Sequence, residues 1–151
     1  MEIIEYSKKY EEFLGTSLRE NKEFNNNLDS INPINIDHSF NFNALKEVES
    51  RIKDDSGKIL IATINSKPVG FGLAYIGDKY RKVGFIGKLY VKEKYREQGI
   101  GRALILELEK YLKDLGCEYV MISTFSKNST SYSLYKSLDY SDYINDLIKH
   151  L

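Results

Sequence analysis

The residues with the most distinctive chemistry lie in a short loop between a buried strand and a helix. The strand ends at Leu89-Tyr90-Val91, a charged segment follows, and a helical pattern opens at Gly99-Ile100-Gly101. Such a turn directs successive backbone N–H groups toward one point, at the positive end of the helix dipole. Glycine lets the backbone approach a ligand without an intervening Cβ. Two interpretations stand at this point: a phosphate site with added charge from Arg96 or Arg102, or a tight turn that only requires glycine.

Two other kinds of phosphate loop do not fit this segment. A nucleoside triphosphate loop has Lys and then Ser or Thr after its last glycine, whereas Arg102-Ala103 follows here. A dinucleotide loop has glycine or alanine three places after its second glycine, where this chain has Leu104. Its acidic partner is also missing at the end of the next strand, where the sequence reads Ile122-Ser123-Thr124.

The loop resembles a known family. The run Arg96-x-x-Gly99-x-Gly101 is similar to the Arg/Gln-x-x-Gly-x-Gly/Ala signature of the GNAT superfamily of acetyltransferases, and residues 89–91 resemble the end of that family's central strand. The resemblance implies that backbone N–H groups of residues 97–102 bind the pyrophosphate of coenzyme A. It also implies that main-chain groups of residues 89–91 hold the pantetheine arm, with one N–H, at Leu89 or Tyr90, facing the developing oxyanion. The implied cofactor-binding residues are Leu89, Tyr90, Val91, Arg96, Glu97, Gln98, Gly99, Ile100, Gly101, Arg102 and, from the motif described next, Asn128.

A second motif follows at the spacing that the family shows. Segment 128–140 is similar to the family's Asn-x-x-Ala-x-x-Leu-Tyr-x-x-x-Gly-Phe stretch, with Ser131, Asp139 and Tyr140 at the Ala, Gly and Phe positions. Asp139 is a mild departure, because Asp tolerates left-handed backbone angles better than most residues. Each motif alone is weakly diagnostic, whereas the pair in this order and spacing is specific.

Tyr135 is the catalytic residue that the resemblance implies. A phenol with a pKa of about 10 is protonated at neutral pH, so it can donate a proton to the departing thiolate as a general acid. The structural alternative is that Tyr135 packs on a helix face with Leu134 and Leu138.

The sequence does not identify the residue that acts as the general base. An amine with a pKa of about 10.4 must lose its proton before it attacks, at a cost of about 4.6 kcal/mol at pH 7. Many relatives have acidic residues just before the Leu-Tyr-Val stretch, where this chain has Gly87-Lys88. The remaining candidates are water chains to bulk solvent and the side chains of Glu20, Glu23, Asp37 and His38.

Lys88 bears on the choice of acceptor. The period of two along a strand places it on the same face as Ile86 and Tyr90. If that face lines the acceptor pocket, a cation there disfavours polycations and favours an amine with its own carboxylate or phosphate. The alternative is that Lys88 extends to solvent and does not affect the substrate.

The composition describes an ordinary globular protein. Of 151 residues, 42% are hydrophobic, and 22 basic residues balance 22 acidic ones, whereas nucleic acids and anionic membranes require a basic surplus. Cys117 is the only cysteine, two histidines provide no zinc-site spacing, and the first residues lack signal-peptide features. We expect a cytoplasmic protein with no metal and neither nucleic acid nor a membrane as a partner; a homodimer is left open.

The apolar pattern predicts the elements that position the two motifs. Helices are predicted at 8–19, 44–53, 102–115 and 129–138, and strands at 3–4, 58–64, 68–76, 82–91 and 119–124. The helix between the last two strands makes that pair parallel. The order predicts one α/β domain over 1–151, with a central mixed, mostly antiparallel sheet, a parallel pair at about 83–91 and 119–124, and flanking helices. The resemblance to the GNAT superfamily implies that this parallel pair is splayed.

Two segments have no single prediction. Segment 21–43 is too apolar for a plain linker, and we interpret it as a lid over the acceptor pocket or as ordinary core. The tail 140–151 fits a helix through Ile144, Leu147, Ile148 and Leu151, and it fits a strand through Tyr143, Leu147 and Leu151.

The combined interpretation is an acetyl-CoA-dependent N-acetyltransferase that acts on a primary amine of a small molecule, peptide or protein. Two other classes are considered. A non-catalytic acyl-CoA binding or sensing module disagrees with the presence of Tyr135 and Asn128. A protein-interaction domain, in which the glycine loop is only a turn, would not bind coenzyme A at all.

Overall fold

The computed structural model describes residues 1–28, 40–53, 55–149 and 151, with the side chains of all of these except 40–43 and 78. Its strands are β1 (Glu2–Glu5), β2 (Gly57–Ile64), β3 (Lys67–Asp78), β4 (Val83–Val91) and β5 (Tyr119–Ile122). Its helices are α1 (Glu11–Leu28), α2 (Phe40–Ser50), α3 (Ile100–Asp114) and α4 (Ser129–Lys136).

The strands form one mixed sheet in the order β1-β2-β3-β4-β5. The first three pairings are antiparallel, and β4 pairs with β5 in parallel. The parallel pair follows from the helix α3 between them, which returns the chain to the same end of the sheet. The predicted mixed, mostly antiparallel sheet with a parallel pair at this position is confirmed.

Helices cover both faces of the sheet. The apolar stripe of α3, with Leu104, Leu108 and Leu112 fully buried, packs on one face together with Tyr135 of α4. On the other face, Leu14 and Leu18 of α1 pack against Phe71 and Tyr90. These two layers hold the central strands between them, so that β4 has helices on both sides.

A β-bulge interrupts the pleat of β4 at Gly87. The pairing with β3 passes from Ala74↔Ile86 to Leu73↔Lys88, which leaves Gly87 without an opposite residue. A bulge shifts the alternation of side chains beyond it. Ile86 therefore packs in the core beneath α3, whereas Tyr90 packs in the core beneath α1 and α2. The prediction that Lys88 shares a face with both Ile86 and Tyr90 is therefore wrong for Ile86. Strict alternation of side chains along a strand requires an unbroken pleat, and the bulge at Gly87 interrupts it.

Helix α1 extends well beyond the predicted end at residue 19. It continues to Leu28, through the first third of the Asn-rich segment. Asn25 donates to the Asn21 side chain one turn earlier at 3.4 Å, and Phe24 lies under the guanidinium of Arg96. These contacts offset the weak helix propensity of Asn. Residues 29–39 lie outside the described part, so the lid interpretation of 21–43 stays a prediction.

The tail adopts neither of the structures that its pattern allows. Residues 141–149 and 151, as far as the structure describes them, form no helix or strand. Five large apolar side chains of the tail are exposed: Tyr143, Ile144, Leu147, Ile148 and Leu151. An apolar pattern forms a stable element only where it can pack against another surface, and these five side chains are exposed instead. No helix in the described ranges has both the length and the apolar character needed to cross a bilayer.

Candidate active site

The strands β4 and β5 separate beside the glycine loop. Their pairing ends at Ile86↔Ile122, although β4 continues to Val91. On its other side, β4 stays paired to β3 through Leu89↔Gly72 and Val91↔Gly70. The main chain of residues 87–91 is thus held in extended form, and among the described residues no strand pairs with its second edge once β5 has ended. We call this edge of the β4 main chain the free edge. Such an edge can accept another extended chain by main-chain hydrogen bonding.

The glycine loop leads from this free edge to the start of α3. The Lys92 N–H donates to the Val69 carbonyl at 2.9 Å, which fixes the start of the loop on the sheet. Glu97 and Gly99 have left-handed φ angles of 61° and 79°. The helical ladder begins with the Ala103 N–H donating to the Gly99 carbonyl at 3.0 Å. The N–H groups of residues 100–102 precede this bond, so they point out of the helix start.

The surroundings of Gly99 fit a phosphate. A Cβ built on Gly99 has no atom of the described residues within 4 Å, so this side of the loop is open toward them. Open space next to unpaired helix-start N–H groups is where anions bind in proteins. Gly101 differs, because a Cβ there comes within 3.3 Å of Leu134 Cδ2. Gly101 therefore allows α3 and α4 to approach each other, whereas Gly99 supplies the left-handed φ angle of the turn into α3.

Arg96 makes its contacts within the protein. Its Nε donates to the Val91 carbonyl at 2.9 Å, and its guanidinium lies 4.8 Å from the ring centre of Phe24 and 5.9 Å from that of Tyr90. Arg96 thus ties the loop to the end of β4 and to α1. Its assignment to the cofactor stays a prediction, and positioning of the loop is the role that these contacts support.

The side chains of Arg102 and Gln98 also turn toward the protein. Arg102 Nη1 lies 3.5 Å from the Ser137 carbonyl and 3.4 Å from its hydroxyl. Gln98 Nε2 donates to the Lys94 carbonyl at 3.2 Å. Among the predicted cofactor residues of the loop, the main chain is therefore the part best placed for an anion.

Asn128 begins helix α4. Its Oδ1 accepts a hydrogen bond from the Ser131 N–H at 3.1 Å, which is an N-cap. This contact gives the Asn of the second motif a structural role in addition to the predicted cofactor role. At the end of the motif, Asp139 has φ 66°. The expectation that Asp139 tolerates a left-handed angle is confirmed.

Tyr135 lies on α4 in the core beneath α3. Its side chain is 8% exposed, and its ring centre is 6.0 Å from that of Tyr140. Burial raises the pKa of the Tyr135 phenol, and a hydrogen bond with Ser131 opposes part of that rise. The phenol therefore keeps its proton throughout the neutral range, as a general acid requires.

A hydrogen bond between Tyr90 and Glu20 connects β4 to α1. The Tyr90 hydroxyl donates to a carboxylate oxygen of Glu20. Burial of the ring, together with the bond to Glu20, raises the pKa of the Tyr90 phenol. The structure thus places one predicted base candidate, Glu20, on the α1 side of the free edge. Glu23 is exposed on the same helix, while Asp37 and His38 lie outside the described residues.

Replacing Tyr90 with Phe tests whether residue 90 acts through its main chain. We expect Tyr90→Phe to lose about 0.5–1.5 kcal/mol of stability, the net worth of one hydrogen bond. Coenzyme A affinity should stay unchanged, because the predicted contact is the backbone N–H. The measurements are urea unfolding and calorimetric titration. Glu20→Gln and the double variant complete a double-mutant cycle, in which the losses of stability of the two single variants should be non-additive. A large loss of coenzyme A affinity in Tyr90→Phe would contradict the main-chain role of residue 90.

Two of the cavities that the described residues line lie beside the sheet, on different elements. One, of about 150 Å³, is lined by residues of α2, β3 and the bulge of β4, including Lys88. The other, of about 260 Å³, is lined by Glu5, Gly57, Lys58 and Tyr111 among others, at the opposite end of the sheet from the glycine loop. Only the first is near the predicted reaction centre. In the described ranges, no three His, Cys, Asp or Glu side chains are grouped so as to hold a metal ion.

The comparisons with known proteins agree with this geometry. The family model described as the Acetyltransferase (GNAT) family matches residues 22–140. The chain therefore belongs to the GNAT family of acetyltransferases, as its two motifs predict.

Two curated acetyltransferases are similar in sequence. A thialysine N-epsilon-acetyltransferase from Bos taurus is 33% identical over 94 residues, which are 55% of this chain and 55% of that protein. A mycothiol acetyltransferase from Pseudarthrobacter chlorophenolicus is 30% identical over 98 residues, which are 63% of this chain and 30% of that protein. The chain thus spans about half of the first relative's length and less of the second's.

Solved structures share the fold over nearly the whole chain. An aminoglycoside N-acetyltransferase in complex with CoA superposes with a TM-score of 0.71 at 17% identity, covering 99% of this chain and 98% of that one. A mutant protein from Bacillus halodurans gives a TM-score of 0.84 at 17% identity, covering 100% and 99%. The predicted GNAT-like α/β fold is confirmed.

Proposed function

We propose that the protein is an acetyl-CoA-dependent N-acetyltransferase that acts on a primary amine. The observation that carries the proposal is the free edge of β4 beyond Ile86, which the glycine loop connects to the start of α3. Tyr135 of the second motif lies in the core layer on the α3 side of the same sheet. A groove, an anion site and a buried acid are the parts that acetyl transfer from a thioester needs.

The free edge and the loop hold acetyl-CoA in this proposal. Backbone N–H groups of residues 97–102 bind its pyrophosphate, and main-chain groups of residues 89–91 bind its pantetheine arm. When bound, acetyl-CoA supplies a thioester carbonyl for the amine to attack. The N–H of Leu89 or Tyr90 donates to the oxygen of that carbonyl as negative charge develops there.

Tyr135 completes the transfer as the general acid. When the carbon–nitrogen bond has formed and the carbon–sulfur bond breaks, the sulfur leaves as a thiolate. The Tyr135 hydroxyl donates its proton to that sulfur, and the phenolate recovers a proton from solvent. The amine loses its own proton to Glu20, Glu23, Asp37, His38 or a water chain. The predicted cytoplasmic location and the absence of a metal requirement belong to the same proposal.

Two measurements test the proposed function. Calorimetric titration should show coenzyme A binding, and thiol release from acetyl-CoA should accelerate when a suitable primary amine is added. A protein that does not bind coenzyme A contradicts the assignment of the groove. Binding without thiol release across a broad panel of amines contradicts catalysis and indicates a binding module.

A further inference from the structure

The two strands that separate at the free edge provide no carboxylate. Neither β4 (Val83–Val91) nor β5 (Tyr119–Ile122) contains Asp or Glu. A primary amine that arrives protonated must nevertheless lose a proton before it can attack a thioester. The group that accepts this proton therefore comes from another element or from solvent.

Helix α1 brings a carboxylate to this end of β4. The Tyr90 hydroxyl donates to Oε2 of Glu20, and Tyr90 belongs to the stretch whose main chain holds the thioester in the proposed function. Phe24, one turn after Glu20, lies under the guanidinium of Arg96, which in turn is bonded to the Val91 carbonyl. These contacts fix the second half of α1 against the end of β4. Glu20 thus lies one tyrosine side chain and one hydrogen bond away from the main chain of residue 90.

The other face of β4 is closed to an acceptor. Leu89 and Val91 pack in the core beneath α3, and a Cβ built on Gly101 comes within 3.9 and 4.0 Å of their side chains. Dense packing of this kind leaves no space for a second substrate. An acceptor therefore reaches the thioester from the side of α1, on which the Glu20 carboxylate lies.

The hydrogen bond from Tyr90 orients the carboxylate and leaves it able to act. A carboxylate has two oxygens and about four lone-pair sites, of which this bond uses one. Burial raises the pKa of the Tyr90 phenol, as does its bond to Glu20, so Tyr90 stays a hydrogen-bond donor throughout the neutral range. Glu20 is itself exposed, so a proton that it accepts can pass on to solvent.

The charges around this hydrogen bond favour a protonated amine. Arg96 and Glu93 also act on the Tyr90 phenol, and their charges have opposite signs. Together with Glu20 they amount to one cation and two carboxylates, an excess of one negative charge. Such a group attracts an ammonium ion, and the carboxylate that attracts it is also the group that can take its proton.

We propose that Glu20 is the general base of the transfer and that Tyr90 is the residue that positions it. The Glu20 carboxylate accepts the proton that the ammonium group loses before attack and releases it to solvent. Once the carbon–nitrogen bond has formed, Glu20 accepts a second proton from the nitrogen, and Tyr135 donates one to the departing sulfur. The nitrogen gives up two protons and the sulfur takes up one, so each transfer releases one proton to solvent. This inference rests on the proposed function, because it names the base of the same site.

Removing the charge at residue 20 tests the base directly. Glu20→Gln keeps the shape of the side chain and an oxygen that can accept from Tyr90, so coenzyme A affinity should be retained. The probe is whichever of ethanolamine, cadaverine, L-lysine, tyramine and trilysine releases thiol from acetyl-CoA fastest with the native protein. We expect kcat at pH 7 to fall about 10²-fold or more in Glu20→Gln. Glu12→Gln, the same change at an exposed position in the first turn of α1, is the control and should keep the native kcat.

The pH dependence separates a base from a structural residue. The ratio of native to Glu20→Gln kcat/KM should shrink as the pH rises from 7 toward the pKa of the amine, about 10.4 for a lysine-like amine, because the amine then arrives neutral. Tyr90→Phe should show the same trend with a smaller deficit, since its carboxylate is present but no longer held. A deficit that stays constant over this range overturns the assignment of Glu20 as a base.

An added carboxylate provides a second test at the same position. Glu20→Ala removes the carboxylate from an exposed site, so a small carboxylate from solution can take its place. Sodium formate should raise kcat of Glu20→Ala several-fold relative to sodium chloride at the same concentration. Tyr135→Phe lacks the proposed acid and keeps Glu20, so formate should not raise its kcat. Absence of rescue in Glu20→Ala overturns the base role.

Failure of this inference is distinguishable from failure of the proposed function. No thiol release by the native protein with any of the five amines overturns the proposed function, and the base assignment with it. Thiol release by the native protein that Glu20→Gln retains overturns the base assignment alone. A loss of kcat in Glu23→Gln without one in Glu20→Gln also overturns it and moves the base one turn along α1. Urea unfolding of each variant shows that the comparisons are made between folded proteins.

Discussion

Replacing Tyr135 with Phe is expected to lower kcat by about 10²- to 10⁴-fold, the usual contribution of a positioned general acid. The affinity for acetyl-CoA should change by no more than a few fold, because the ring remains and only the hydroxyl is removed. The side chain is 8% exposed and lies in the core beneath α3, so the ring should keep its place. Stopped-flow thiol detection and calorimetric titration measure the two quantities on the same variant.

The pH dependence adds a second readout for Tyr135. A general acid acts while it is protonated, and burial raises the pKa of this phenol above its ordinary value. The phenol therefore loses its proton only at a higher pH than an exposed tyrosine does. No decline in kcat caused by ionisation of Tyr135 should appear below about pH 10. A decline near neutral pH that disappears in Tyr135→Phe would contradict this.

Tyr140 provides the matched control for Tyr135. It is the neighbouring ring, with its centre 6.0 Å away, and its hydroxyl donates to Glu109 at 2.7 Å. Tyr140→Phe removes the same atom from an adjacent site, at a cost of about 1 kcal/mol of stability. We expect kcat to survive in Tyr140→Phe and to fall in Tyr135→Phe. Equal turnover in the two variants, with only stability reduced, would make Tyr135 a core residue and leave the thiolate to take its proton from water.

The local features of this site were readable from the sequence because each follows from a few adjacent residues. The loop around Gly99 and the left-handed position of Asp139 depend on backbone angles that only certain residues adopt. The parallel pairing of β4 and β5 follows from the helix between them. These inferences require no knowledge of distant neighbours.

The features that sequence analysis missed depend on contacts between distant segments. The bulge at Gly87 exists only in the register between β4 and β3, and it decides which face Lys88 occupies. The Tyr90–Glu20 hydrogen bond joins residues 70 positions apart, so no spacing rule indicates it. Helix α1 extends to Leu28 partly because Phe24 packs under Arg96, a residue of the glycine loop. Tertiary packing overrides local propensity in each case.

The start of α3 offers the sharpest test of the anion site, because the same helix has an equivalent glycine at its other end. Gly99 has φ 79° and Gly116 has φ 87°, and in the part of the chain that the structure describes, a Cβ on either one meets no atom within 4 Å. Alanine at either position should therefore cost similar stability, about 1–2 kcal/mol for a left-handed angle. The two variants differ in one respect: Gly99 lies where the pyrophosphate is proposed to bind, and Gly116 lies past the C-terminus of α3.

We expect Gly99→Ala to weaken coenzyme A binding by about 10-fold or more and Gly116→Ala to leave it unchanged. The Cβ at residue 99 enters the open space beside the N–H groups of residues 100–102, and the strained angle shifts those donors. Gly101 is a poorer test, because a side chain there contacts Leu134 at 3.3 Å and disturbs the approach of α3 to α4. Calorimetric titration measures the coenzyme A affinity of both variants, and urea unfolding checks that their stabilities are similar. Equal coenzyme A affinity in Gly99→Ala and Gly116→Ala would mean that the left-handed glycine only turns the chain, and the anion would then have to bind elsewhere.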